Sequence, residues 1–132
     1  MRPASIKEVA LRRAMRPDQP LWKPLGEFLD AFYEAEEGRA DMLRDEPDAA
    51  IDRRELAYLA AAAEHLSDLY EFAPPVWVER PVYFLPTAYW PDRLGRAFEA
   101  ICIAESPTSF RRRFIFTEGR PLRRKAGPRF AA

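Results

Sequence analysis

The sequence predicts a mostly α-helical fold. It should be a single-domain bundle of four to five helices, crossed by an extended segment rich in proline and aromatic residues. Three observations predict it. The chain has 132 residues, 48% of them hydrophobic, which suits one compact core. Apolar side chains recur at helical spacing in several separate stretches. Thirteen prolines stand against five glycines, so the stretches are joined by rigid connections rather than loose linkers.

The first helix is predicted to start at Ser5. "SIKE" reads as a capping box, in which the Ser5 hydroxyl accepts from the Glu8 amide while Glu8 reaches back. Ile6, Val9, Ala10 and Met15 form its expected apolar stripe, and Pro17 ends it.

"WKPLGEFLDAFYEAEEG" is the second helix. Pro24 suits the first turn, where its missing N–H costs nothing. Leu25, Phe28, Leu29, Phe32 and Tyr33 follow the i, i+3, i+4, i+7, i+8 pattern of one apolar face. Gly38 either stops this helix, or "RADMLRDEP" carries it further before Pro47.

"DAAIDRRELAYLAAAAEHLSDLYEF" is the third and clearest helix, with an acidic start and Leu56, Leu59, Ala63, Leu66 and Tyr70 on one side. Its run of alanines lets a neighbour approach closely. "APPVWVERPVYFLPTAYWP" then holds five prolines and five aromatics, which forbids a long helix and argues against disorder. It reads as an ordered crossing that lays rings over the helical core.

"PDRLGRAFEAICIAE" is the fourth helix, with Leu94, Phe98, Ile101 and Cys102 expected inward. "SPTSFRRR" reads as a short fifth helix with Ser106 as N-cap and Pro107 in first position. The division expected is a helical domain over 1–118 and a basic extended tail over 119–132. The expected core holds Phe28, Leu29, Phe32, Leu59, Leu66, Phe98 and Ile101.

Charge is balanced overall but not along the chain. Residues 1–23 carry six basic against two acidic side chains, residues 24–110 seven against eighteen, and residues 111–132 eight against one. Both ends can meet an anion while the middle repels one; alternatively the ends fold back on the acidic body. Cys102 is the only cysteine, so no intrachain disulfide forms and a reducing, cytoplasmic setting is expected. The longest apolar candidate, "ELAYLAAAAEHL", is too short and too charged to span a bilayer, so no membrane partner is expected.

Residues able to carry chemistry are sparse. His65, the only histidine, lacks a second ligand at metal-site spacing and is expected half-buried or capping; no metal and no cofactor are expected. Cys102 sits on an apolar stripe, as an inert thiol does. No phosphate-binding glycine loop and no Gly-x-Ser-x-Gly elbow occurs, so no catalytic residue is assigned and a non-enzyme is expected.

Arg111, Arg112 and Arg113 fan over about 200° on a helix, so at least one turns inward, toward acidic groups or helix-end carbonyls. Phe110, Phe114, Ile115 and Phe116 are too apolar to stay wet. Arg120, Arg123, Arg124, Lys125 and Arg129 lack such anchors and are the expected phosphate contacts of any nucleic-acid binding, which would be salt-dependent and weakly sequence-specific.

"AESPTSFRRRFIF", following "LAYLAAAAEHLSDLY", "PPVWV" and "YFLPTAYWPDRL", resembles a group of short bacterial proteins of unknown function over residues 20–118. Its members pair a helix ending in Ala-Glu-His-Leu with a proline-tryptophan segment, then close with Glu-Ser-Pro-x-x-Phe-Arg-Arg-Arg. Some are similar to the C-terminal parts of helix-turn-helix regulators, or sit in toxin–antitoxin-like gene pairs. The chain departs from the group at Phe114, where asparagine or another polar residue is common, and in its basic tail. The resemblance implies a partner-binding or regulatory, antitoxin-like role and adds no catalytic residue.

The function expected is therefore a non-catalytic protein–protein interaction or regulatory protein. Ser106, Phe110, Arg111, Arg112, Arg113, Trp77 and Trp90 are its expected contacts with a protein partner. A nucleic-acid-binding accessory protein acting through the basic termini is the alternative.

Overall fold

A computed structural model describes residues 1–124. Lys125 and Arg129 lie outside the described residues. The fold is mostly helical, and no strand occurs among the described residues.

Helix α1 spans Ile6–Met15. The Glu8 amide donates to Ser5 Oγ at 3.2 Å, which satisfies one of the four orphan donors of the first turn. Only half of the expected box forms, because the Glu8 carboxylate pairs with Arg12 one turn on, at 2.9 Å. Ile6, Val9 and Ala10 are buried, whereas Met15, expected with them, is exposed.

Helix α2 spans Trp22–Glu34 and buries the five-residue face read from its spacing. Arg39 closes its C-terminal end by donating to the Phe32 and Tyr33 carbonyls at 2.9 and 3.0 Å. Gly38, at φ 77°, separates α2 from a short helix α3, Arg39–Arg44.

Helix α4 spans Arg53–Leu69 and is the axis of the fold, with every alanine from Ala60 to Ala63 out of solvent. It starts later than the sequence predicts. Asp52 takes the Arg54 amide at 2.7 Å and fixes the N-terminus there, leaving the residues around Pro47 without regular structure. At its other end Glu71 adopts φ 60°, and the Phe72 amide reaches back to the Ser67 carbonyl at 3.1 Å, a Schellman ending without glycine.

The proline-aromatic segment crosses the bundle as expected, through two single 3-10 turns, Val76–Glu79 and Pro81–Tyr83. Trp77 and Tyr83 enter the core, and Trp77 Nε1 donates to the Leu43 carbonyl at 3.1 Å. Further on, Tyr89 pairs with Ile115 in an isolated parallel bridge.

Helix α5, Arg96–Glu105, departs from expectation. Its side toward the body buries Cys102, while Phe98 is half-buried and Ile101 is 47% exposed. The spacing of Phe98 and Ile101 is helical, but no covering element reaches Ile101. The helix after it, α6, is a single turn, Thr108–Arg111. Ser106 does not cap α6. It ends α5 instead: its amide bonds the Cys102 carbonyl at 3.0 Å, and its hydroxyl accepts from the Thr117 amide at 2.8 Å. The first helical carbonyl of α6 belongs to Pro107, which receives the Phe110 and Arg111 amides.

From α6 onward the chain plugs the bundle. Phe110, Ile115 and Leu122 complete the core laid down by α1, α2 and α4. The Tyr33 hydroxyl donates to the Leu122 carbonyl at 2.9 Å, so residues read as the start of a free tail lie on α2.

Candidate functional site

The arginine triplet divides by direction. Arg113 is 0% exposed. Its guanidinium donates to Glu64 at 2.6 Å and to the Ser109 and Val78 carbonyls at 2.7 Å each, which ties α4, α6 and the first 3-10 turn together. Burial pushes this guanidinium toward the neutral form and the Glu64 charge opposes that. Arg112 bridges Glu64 at 2.8 Å and Glu79 at 2.8 and 2.7 Å. Those bonds hold Arg112 charged and keep the Glu79 carboxyl below its ordinary range. Phe84 lies under both cations, with centroids 5.1 and 4.7 Å from the two guanidinium carbons. Arg111 turns to the helix end and donates to the Ala104 and Ser106 carbonyls.

This geometry corrects the expected partner surface. Ser106, Phe110, Arg113 and Trp77 are buried, so a partner has no access to them. Trp90 is half-buried, its ring 5.3 Å from that of Phe116. Arg111 is exposed but its bonds are to its own chain. Arg112 keeps a wet edge, already engaged by two carboxylates. The physical reason is the apolar anchoring: Phe110 and Ile115 on either side of the arginines draw the segment into the core.

The basic tail also divides. Arg124 forms a two-pronged pair with Asp30 at 2.9 and 3.2 Å, whose hydrogen bonds hold the Asp30 carboxyl below its ordinary range. It reaches Asp30 across Gly26, where a Cβ would stand 2.7 Å from the guanidinium. Arg124 is thus a structural clamp rather than a ready phosphate contact. Arg120 and Arg123 are exposed and make no ion pair among the described residues. They share with Trp22 a cavity of about 340 Å3, which Asp92 and Glu118 also line.

A second concavity carries no residue expected from the sequence. It lies between α1 and α2 and encloses about 430 Å3. Leu11 and Met15 on α1 and Pro24 on α2 supply its apolar wall; Arg12, Arg13, Arg16 and Lys23 stand around it with Glu8 and Glu27. Leu11 and Met15 are one turn apart on the side of α1 away from Ile6. That spacing was the available signal, obscured by placing Met15 on the core stripe.

The isolated titratable groups sit in packing positions. His65 is half-buried with its ring 5.8 Å from that of Phe110, and burial lowers its pKa against the pull of Glu64. Cys102 is buried, and burial with nearby carboxylates raises its pKa, so the thiol stays protonated. Among the described residues no group of three or more His, Cys, Asp or Glu side chains is gathered as for a metal. Nor, among them, is any helix long and apolar enough to cross a membrane. Comparison with protein-family models, curated proteins and solved structures gives no match for this chain.

Proposed function

We propose that the chain is a non-catalytic protein-interaction protein of the regulatory kind, and that its α1–α2 groove receives an acidic, amphipathic segment of a partner protein. One observation carries this: the groove joins an apolar wall to a rim of four cations whose carboxylate partners a docked acidic segment can replace. Leu11 and Met15 offer two wet apolar positions one turn apart, the spacing at which a docked helix is gripped. Four cations stand there, each already in an ion pair: Arg12 and Lys23 with Glu8 and Glu27, Arg13 with Glu55 and Arg16 with Asp18. Several rim ion pairs, such as Lys23 with Glu27 at 3.2 Å, are solvent-exposed and exchange partners at little cost.

Co-purification with the protein encoded by the neighbouring gene tests it, using the full chain and Met15→Glu. The expected result is a stable complex that Met15→Glu weakens at least about tenfold. No complex, or one indifferent to Met15→Glu, rejects the proposal.

A second function is favoured by Trp22, Arg120 and Arg123 sharing one cavity. An exposed ring beside unpaired cations is the combination that holds single-stranded nucleic acid by stacking and phosphate contact. Quenching of Trp22 fluorescence by a single-stranded oligonucleotide at low salt, lost at high salt, is its expected signature.

A further inference from the structure

The cavity shared by Trp22, Arg120 and Arg123 holds two groups that a phosphate grip does not need. Asp92 and Glu118 stand in its wall, and a carboxylate repels a phosphate. Glu118 takes the Arg120 amide at 2.6 Å, which sets that arginine beside it. The Asp92 side chain makes no hydrogen bond and no ion pair among the described residues, so both its oxygens are free to accept.

A third group is idle. Tyr58 on α4 lines the same cavity, its ring set edge-on to that of Trp22 with the centroids 5.7 Å apart. The residue is only 3% exposed, yet its hydroxyl makes no hydrogen bond among the described residues. A buried hydroxyl normally has a partner. Burial first, and then the charge of Asp92, raise its pKa, so it remains an O–H donor. The cavity thus offers a half-exposed ring, a free carboxylate, a free hydroxyl donor and two cations. At about 340 Å3 it stands at the small end of ligand cavities and suits one unit rather than a run of bases.

That set is chemically selective. A carboxylate with both oxygens free fits two neighbouring N–H donors. Guanine alone among the bases sets N1–H and the N2 amino group side by side, with the acceptor O6 next to them. Adenine and cytosine place a ring-nitrogen lone pair beside their amino group, which repels the second oxygen. Thymine and uracil offer one N–H between two carbonyls.

We propose, resting on the single-strand reading of this cavity, that it selects a guanine of the bound strand. The base stacks on Trp22, Asp92 accepts from N1–H and the N2 amino group, and the Tyr58 hydroxyl donates to O6. The adjoining phosphate goes to Arg120 and Arg123.

Fluorescence anisotropy of a labelled oligothymidylate with one central guanine, adenine, cytosine or inosine tests it, on the full chain at low salt. The guanine strand is expected to bind about tenfold tighter than the adenine or cytosine strand. Inosine, which lacks the N2 amino group, should fall between. Asp92→Asn should abolish the preference for guanine; a carboxylate that merely repels phosphate would, once neutralised, tighten every strand equally. Tyr58→Phe deletes a hydroxyl that bonds nothing in the chain, so it should weaken the guanine strand alone and leave the melting temperature unchanged. Equal binding of all four strands overturns the choice of base while the single-strand reading stands. So does a guanine preference that survives both Asp92→Asn and Tyr58→Phe. No binding of any strand overturns both.

Discussion

Arg113 meets Glu64 at 2.6 Å with its entire side chain out of solvent, while its neighbour Arg112 meets the same carboxylate from the wet side. Two consecutive arginines on one glutamate thus do different work. Arg113→Ala leaves Glu64 to Arg112 alone and the buried Val78 and Ser109 carbonyls without their donor. It is expected to cost about 3–5 kcal/mol. Arg112→Ala removes a half-exposed pair and should cost about 1 kcal/mol or less. Urea unfolding of both variants checks this; equal losses would show that Arg113 is not the buried partner.

Glu71 ends α4 in a left-handed conformation that favours glycine. Glu71→Gly should therefore stabilise the protein by about 0.5–1 kcal/mol, read as a higher melting temperature. Phe114, at φ 68°, is a second such position, although its ring also contacts Phe116 at 5.8 Å. There the informative comparison is Phe114→Gly against Phe114→Ala, with glycine the more stable by about 1 kcal/mol. Alanine the better of the two would mean that this turn is not left-handed.

Gly26 and Arg124 are coupled through space. In the wild type, Gly26→Ala gains helix propensity but pushes Arg124 off Asp30. Once Arg124→Ala has emptied that space, the same change should stabilise by about 1 kcal/mol. A double-mutant cycle that closes additively would refute the contact.

Burial lowers the pKa of His65 below its ordinary value near 6.5. As pH falls, the unfolded chain takes up this proton before the folded one. Stability is then lost from about pH 6.5 downward, until the folded histidine also protonates. His65→Phe keeps a ring against Phe110 and should flatten the stability profile between pH 7 and 5. An unchanged slope would assign the titration elsewhere. Asp30 and Glu79, held low by Arg124 and Arg112, protect stability above their ordinary range near pH 4 and lose it only as pH falls through their lower folded values.

The helices were legible because their signals are local. Ser5 and Glu8 sit three residues apart, and the face from Leu25 to Tyr33 needs only two turns to declare itself. That one arginine of the triplet points inward also followed from helical step and neighbouring rings. Which one does so depends on Glu64, 49 residues away in sequence. Ser106 was misassigned for a similar reason: Ser-Pro before a helix suits an N-cap, but Thr117 fixes the serine in another role. Ile101 shows the converse limit. Helical spacing says that a side chain shares a face with others, not that anything covers the face. Gly26 in mid-helix was the one visible sign of the Arg124 clamp, and a glycine alone does not name the residue that lies on it.

The closing segment has a consequence for how the molecule comes into being. Its ties are long in sequence: Tyr33 bonds Leu122 across 89 residues, and Asp30 holds Arg124 across 94. Helical bundles usually assemble quickly from near neighbours, whereas distant contacts must first meet the entropy of closing a large loop. On the ribosome α1 to α4 emerge first, with a bare apolar flank where Phe110, Ile115 and Leu122 later sit. Until residues 106–124 arrive, that flank is open to chaperones and to other nascent chains. For this protein the interval between translating α4 and translating Leu122 is its period of greatest exposure to misassembly.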